Sequence, residues 1–215
     1  MFRVGVTGGE AVLHSFAGTP DGVAPTAGLA YRAGRLYGTT CCGGVYGAGT
    51  VFQLESGTES ILYSFTNGTD GAYPYSALLP GADGDWYGTA SEAGNFSCGL
   101  SYGCGVVFRL DSTGHESVLH TFEGGADGVH PIGGLIRDDK GNLYGTTYEG
   151  GSNDRGVIFK IDAKGKETIL HNFTDGTDGG YPFAGLIRDT AGNLYGTASN
   201  GGTFGEGVIF KLTPK

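Results

Sequence analysis

Short apolar segments separated by turn residues run the length of the chain, and they recur in sets of four. In the set beginning at Gly134 they are segment A over 134–138 (GLIRD), B over 143–147 (LYGTT), C over 156–161 (GVIFKI) and D over 167–173 (ETILHNF). Each has the length of a strand, and the runs between them, DKGN, YEGGSNDR and DAKGK, are turn formers. In D, Ile169, His171 and Phe173 alternate with Thr168, Leu170 and Asn172, a mixed pattern that predicts a strand partly covered on both faces. No segment carries a helical period over a helix-length window.

The sets repeat along the whole chain. GRLYGTTCCGG from Gly34, GDWYGTASEAG from Gly84, GNLYGTTYEGG from Gly141 and GNLYGTASNGG from Gly192 are versions of one phrase, and Tyr144 and Tyr195 lie 51 positions apart. A four-stranded meander at a period of about 50 residues predicts a propeller blade. The longer D-to-A links, such as 174–184, would carry the chain from the outer edge of one blade to the inner strand of the next. The chain begins inside a set, with a C-like MFRV and a D segment over 10–16, runs through three full sets and ends after C at 207–212. The fold expected is therefore all-β: one domain over 1–215, a four-bladed β-propeller of four-stranded antiparallel blades. In it the N-terminal strand, residues 10–16, pairs beside 207–212, closes the ring and removes an exposed edge. MFRV has no place in that count. A monomer is expected, and a half-ring completed by a second chain is the alternative assembly.

Composition narrows the partners. Glycine supplies 44 of 215 residues, about three times its usual ~7 % share, as many tight turns require. The 39 % hydrophobic content argues against a disordered chain. A formal charge of −9 disfavours nucleic acid, whose phosphates need clustered Lys and Arg. There is no run of 18 apolar residues to span a membrane, and no basic and apolar leader follows Met1.

The succession G-N-L-Y-G-T-T, G-G, G-V-I-F-K-L, L-H-x-F and D-G-x-x-P resembles the tandem repeat called GloVer, found in bacterial surface and secreted proteins, over nearly the whole chain. The A-to-B run GLIRDDKGNLYGTT is also similar to hairpins of NHL-type and related propellers. The resemblance implies export to an extracellular or cell-surface location and attaches no reaction.

Candidate chemistry lies in the D-to-A and B-to-C loops, which a propeller gathers on one face. An Asp-Gly pair stands four residues before each loop proline, giving Asp21, Asp70, Asp127 and Asp178. These could form a carboxylate ring at the channel mouth for Ca²⁺ or Na⁺, or pin each crossover as an Asx-turn. Tyr46, Tyr102, Asn153 and Phe204 stand six residues before the Phe of strand C, while Tyr73, His130 and Tyr181 immediately precede the loop proline. Rings beside carboxylates and amides suit a glycan or another small polar ligand, and they equally suit packing between blades. His14, His120 and His171 recur in LHSF, LHTF and LHNF, with Tyr63 in the fourth copy, a pattern that reads as structural.

Cys98 and Cys104 flank an insertion of six residues in the second B-to-C loop, and a disulfide between them would close it. Links to the adjacent Cys41 and Cys42 are the competing connectivity. Neither a nucleophile elbow, a zinc-protease helix, a P-loop nor a Rossmann fingerprint is present. Three functions follow: a non-catalytic extracellular carbohydrate-binding module, a polysaccharide hydrolase or lyase using Asp127, Glu149, Asp154, Asp178 or His130, and a purely structural surface repeat.

Overall fold

The computed structural model describes residues 2–4, 8–82 and 84–214. Among these residues the chain is all-β apart from one 3₁₀ turn, Gly125–Asp127. A hairpin of β1 (Phe2–Val4) and β2 (Glu10–Val12) comes first. Three four-stranded antiparallel sheets follow. The first holds β4 (Ala30–Arg32), β5 (Arg35–Thr40), β7 (Thr50–Glu55) and β8 (Thr58–Ser64). The second holds β9 (Leu79–Pro80), β10 (Trp86–Ala90), β11 (Val106–Leu110) and β12 (Glu116–Thr121). The third holds β13 (Ile136–Arg137), β14 (Leu143–Thr147), β15 (Val157–Ile161) and β16 (Glu167–Asn172). A three-stranded sheet ends the series, with β17 (Ile187–Arg188), β18 (Leu194–Ala198) and β19 (Val208–Leu212). A two-residue ladder between β3 (Gly22–Val23) and β6 (Cys42–Gly43) ties the first crossover to its B-to-C loop.

Each sheet is a meander in chain order, as the spacing predicts, and the register repeats. Gly38, Gly88, Gly145 and Gly196 face Phe52, Phe108, Phe159 and Phe210 across the B–C ladder. A bulge falls at the same place in all three complete sheets, between Val51/Phe52, Val107/Phe108 and Ile158/Phe159, and interrupts the strict alternation read through D. Segment A is shorter than expected, with two or three residues in each sheet. A β-carbon on Gly133 would stand 2.8 Å from the carbonyl oxygen of Ala184.

The sheets pack face to face in sequence order. Tyr37, Val51 and Phe65 bury against Trp86, Phe108 and Leu110. Val107 and Phe122 meet Leu143, Phe159 and Ile161, and Tyr144, Ile158 and Phe173 meet Leu186 and Leu194. Edge-to-face ring pairs mark every junction: Phe16–Phe52 at 5.2 Å, Phe65–Phe108 at 5.1 Å, Phe122–Phe159 at 5.3 Å and Phe173–Phe210 at 5.1 Å. The threonine after each of the first three core glycines reaches across: Thr39 donates to the Ser76 carbonyl at 3.0 Å, Thr89 to Gly133 at 3.3 Å and Thr146 to Ala184 at 3.3 Å.

The expected closure is not made among the described residues. β2 pairs with β1 in the register Phe2↔Val12, Arg3↔Ala11, Val4↔Glu10, and β19 pairs only with β18. The reason lies in the segment left over in the strand count. Phe2-Arg3-Val4 stands beside β2 as Phe159-Lys160-Ile161 stands beside β16, so the C-strand position next to β2, which β19 would have to take, is already filled. Met1 lies outside the described residues. The last sheet accordingly presents an uncovered face: Ile209 is 86 % exposed where Val51, Val107 and Ile158 are at most 1 %, and Thr197 is exposed where its three counterparts are buried.

Candidate functional site

The residue before each crossover proline adopts a left-handed backbone although none is glycine: φ is 53° at Ala24, 55° at Tyr73, 57° at His130 and 56° at Tyr181. Such a conformation persists only where the surroundings impose it. Here both backbone groups are engaged. The amides of Tyr73, His130 and Tyr181 donate to the carbonyls of Ala48, Cys104 and Arg155, and their own carbonyls accept from Ser91, Tyr148 and Ser199. Each proline then sends the chain inward. The four following segments converge on a cavity of about 610 Å³, lined by Tyr75, Ser76, Ile132, Leu135, Phe183 and Leu186 among others. Tyr75 and Phe183 remain 38 % and 61 % exposed.

Aromatic and titratable groups gather on the same loops. Tyr102 stacks on His130 at 5.3 Å with the rings 20° apart. His130 Nδ1 lies 3.3 Å from Glu149 Oε2, and its Nε2 is buried with no hydrogen-bond partner among the described residues. Burial pushes the Glu92 carboxyl above its ordinary range, and the nearby His130 opposes that shift. Tyr148 contacts Tyr181 at 5.3 Å and Phe183 at 6.0 Å. The Arg155 guanidinium sits over Tyr181 at 5.1 Å and pairs with Asp175 at 3.3 Å.

Of the ring positions read from the sequence, the fold thus brings Tyr102 to His130, and Tyr181 to a group whose other members went unread. Tyr73 is half-buried against the first core cluster. Tyr46 and Phe204 are exposed loop rings, at 61 % and 89 %. Asn153 is tied to the scaffold, its side-chain amide donating to the Phe173 carbonyl at 3.2 Å. Tyr75, Phe183, Tyr148 and Arg155 were missed. Their signal was variation at fixed offsets: Thr26, Tyr75, Ile132 and Phe183 follow the prolines, and Cys41, Ser91, Tyr148 and Ser199 follow strand B.

The crossover aspartates do not ring the channel mouth, which corrects that expectation. Each carboxylate turns back to its own loop and accepts the amide four residues upstream. Asp21 takes Ala17 at 2.8 Å, Asp70 takes Thr66 at 2.7 Å, Asp127 takes Glu123 at 2.7 Å and Asp178 takes Thr174 at 3.2 Å. The second tie is to the end of strand D: His14–Asp21 at 3.2 Å, Tyr63–Asp70 at 3.0 Å, His120–Asp127 at 3.3 Å and His171–Asp178 at 3.0 Å. The recurrent histidines thus each tie the end of a D strand to its own crossover aspartate.

A glutamate from the next D strand completes two of these junctions. His14, Asp21 and Glu59, and His120, Asp127 and Glu167, each hold donor atoms within 4.8 Å of one another, a set that could accept a divalent cation. Burial pushes Glu167 up and the neighbouring Asp127 adds to the shift, so its proton can serve Asp127 without an ion. Burial alone would also raise Asp127, but hydrogen bonds from His120, Glu167 and the Glu123 amide outweigh it and hold this carboxyl low. Of the other carboxylates considered for catalysis, Asp154 accepts the Gly150 amide at 3.1 Å and Glu149 faces His130.

Cys98 and Cys104 form the expected disulfide across the inserted loop, and Cys41 and Cys42 are unbonded. No helix among the described residues is long and apolar enough to cross a membrane.

Among solved structures, a protein of Bacteroides uniformis provisionally designated a 6-phosphogluconolactonase aligns over 99 % of this chain and 62 % of its own, with a TM-score of 0.50 and 18 % identity. A luciferin-regenerating enzyme aligns over 90 % and 60 %, with a TM-score of 0.49 and 16 % identity. A protein provisionally designated a gluconolactonase aligns over 84 % and 61 %, with a TM-score of 0.47 and 19 % identity. The chain thus spans about three-fifths of the length of these structures. At 18 % identity the likeness to the first of them concerns the propeller-like fold alone. No curated protein matches the sequence. The Gloeobacter/Verrucomicrobia repeat model matches residues 1–100 and again 95–215, so that two tandem matches span the sequence and the chain belongs to the Gloeobacter/Verrucomicrobia repeat family.

Proposed function

We propose that the four repeats act as consecutive propeller blades of one extracellular domain, a non-catalytic module that binds carbohydrate on the loop face around the cavity mouth. The observation that carries this reading is the grouping of rings. Tyr102 stacks on His130, Tyr148 contacts both Tyr181 and Phe183, and Tyr75 and Phe183 line the cavity with part of their faces exposed. Glu149, Asp175 and Arg155 stand alongside. A sugar offers C–H faces to rings and hydroxyls to charged acceptors and donors, so such a surface meets both demands. The disulfide supports an oxidising location.

A second reading rests on His130. An imidazole oriented by Glu149 through Nδ1, with Nε2 lacking a hydrogen-bond partner among the described residues, has the arrangement of a general base, and it supports a polysaccharide hydrolase or lyase. Glycan-array binding together with a reducing-sugar release assay separates the two. The binding module retains glycan without product release and loses about tenfold or more in affinity on Tyr75→Ala or Phe183→Ala, the usual cost of truncating an aromatic anchor. Product release abolished by His130→Ala would establish the enzyme instead. Failure to bind any glycan would leave a structural repeat.

A further inference from the structure

Cys41 and Cys42 occupy a place that the other repeats give to unrelated residues: Ser91-Glu92, Tyr148-Glu149 and Ser199-Asn200. The backbone there does one job throughout. Its second residue pairs with the crossover loop, as Val23↔Cys42, Ala72↔Glu92, Val129↔Glu149 and Gly180↔Asn200. That ladder places no demand on the side chain, so the two cysteines need an explanation of their own.

Neighbouring residues of a strand point to opposite faces, yet these two sulfurs lie 2.8 Å apart. Cys41 falls between β5 and β6, where the chain bends, and this allows the approach. Non-bonded carbon atoms settle at about 3.5–4.0 Å, and sulfur is no smaller than carbon. The contact is thus closer than two independent thiols would choose. Cys41 is held from both sides, its amide donating to the Ala24 carbonyl at 3.2 Å and its sulfur lying 3.9 Å from the Val23 carbonyl of the crossover loop. The chain's other two cysteines are already joined to each other.

We propose that Cys41 and Cys42 close a vicinal disulfide, an eight-membered ring where the first B-to-C loop meets the crossover at Val23 and Ala24. The co-reactant is a low-molecular-weight disulfide of the glutathione class. Cys41 is buried, and burial pushes its thiol up to about 12, with Cys42 adding to the shift. The more accessible Cys42 is therefore the entering sulfur. Its thiolate attacks one sulfur of the oxidant, forming a mixed disulfide and expelling one thiolate. The Cys41 thiolate then attacks Cys42 Sγ, forms the Cys41–Cys42 bond and expels the second. The two protein sulfurs are oxidised, the small disulfide is reduced to two thiols, and the two protons lost by the cysteines go to them.

Adjacent α-carbons are held ~3.8 Å apart by the peptide unit, shorter than the usual span of a disulfide, so this ring yields to reductant before an ordinary bond does. The test equilibrates the full chain in glutathione buffers of graded potential. Each sample is unfolded in denaturant without reductant, alkylated and peptide-mapped. Under oxidising buffers no cysteine is labelled, and as the buffers become reducing Cys41 and Cys42 are labelled together, before Cys98 and Cys104. The double variant Cys98→Ser/Cys104→Ser keeps the Cys41–Cys42 pair unlabelled under oxidising buffers. Full labelling of Cys41 and Cys42 while Cys98–Cys104 persists at every potential would overturn the proposal. So would a non-reducing map that joins either residue to Cys98, to Cys104 or to a second chain.

Discussion

A β-carbon on Gly145 would stand 2.6 Å from Cζ of Phe159 and 2.9 Å from Cδ2 of Leu135, so the ring and the leucine close directly over the bare backbone of strand B. The same contact recurs at 2.6 Å for Gly38 on Phe52 and at 2.5 Å for both Gly88 on Phe108 and Gly196 on Phe210. Gly145 does not need an unusual φ; it needs the space. Gly145→Val should destabilise the fold by about 2 kcal/mol or more through overpacking. The neighbouring Tyr144 contributes a hydroxyl that donates to Asp138 at 3.0 Å, so Tyr144→Phe should cost about 1 kcal/mol. Thermal melts of the two variants rank them, and a costlier Tyr144→Phe would show that packing is not why the motif recurs.

Thr89 ties the second sheet to the third. Its hydroxyl lies 2.9 Å from the Ser76 hydroxyl and 3.3 Å from the Gly133 carbonyl, in a fully buried position. Thr89→Val keeps the shape and strands these partners, which should cost about 1–3 kcal/mol. Thr197 holds the same place in the last sheet but is exposed, and Thr197→Val should stay within about 0.5 kcal/mol of the parent. Chemical denaturation of the pair checks this. Equal losses would mean that the face of the last sheet is covered in solution.

The residues that repeat were legible and those that vary were not. Strand sets, hairpin order and the Gly–Phe register follow from alternation and period, because every copy must solve the same packing problem. Direction across a crossover has no such signal. Spacing placed Asp127 four residues before Pro131, but whether its carboxylate turns inward to the channel or back to His120 depends on how the loop folds. The left-handed backbone at Tyr73, His130 and Tyr181 was hidden for a related reason: glycine marks such a conformation in sequence, and these are not glycine. The closure failed on the one segment without a place in the strand count, Phe2–Val4, which fills the position beside β2.

Glu116 offers a pH test of the junctions. It opens β12, and its Oε1 is buried with no hydrogen-bond partner among the described residues. Burial, with a smaller contribution from Asp70, raises its carboxyl to about 7. The folded pKa thus lies above the unfolded value of about 4.3, so folding favours the protonated form. The stabilisation it brings is fully present below pH ~4.3, falls as the pH rises towards 7 and is absent above that. Glu116→Gln keeps the shape and removes the charge. It should match the parent near pH 4 and exceed it at pH 8 by about 1 kcal/mol, a figure reduced to allow for solvent screening of a half-buried group. In a domain of this size that is a rise of about 2–4 °C in melting temperature. Melting curves from pH 4 to 8 decide it: the gap between variant and parent opens with rising pH, whereas parallel curves would mean that Glu116 titrates as an ordinary exposed carboxylate and that the junction is wetter than its packing implies.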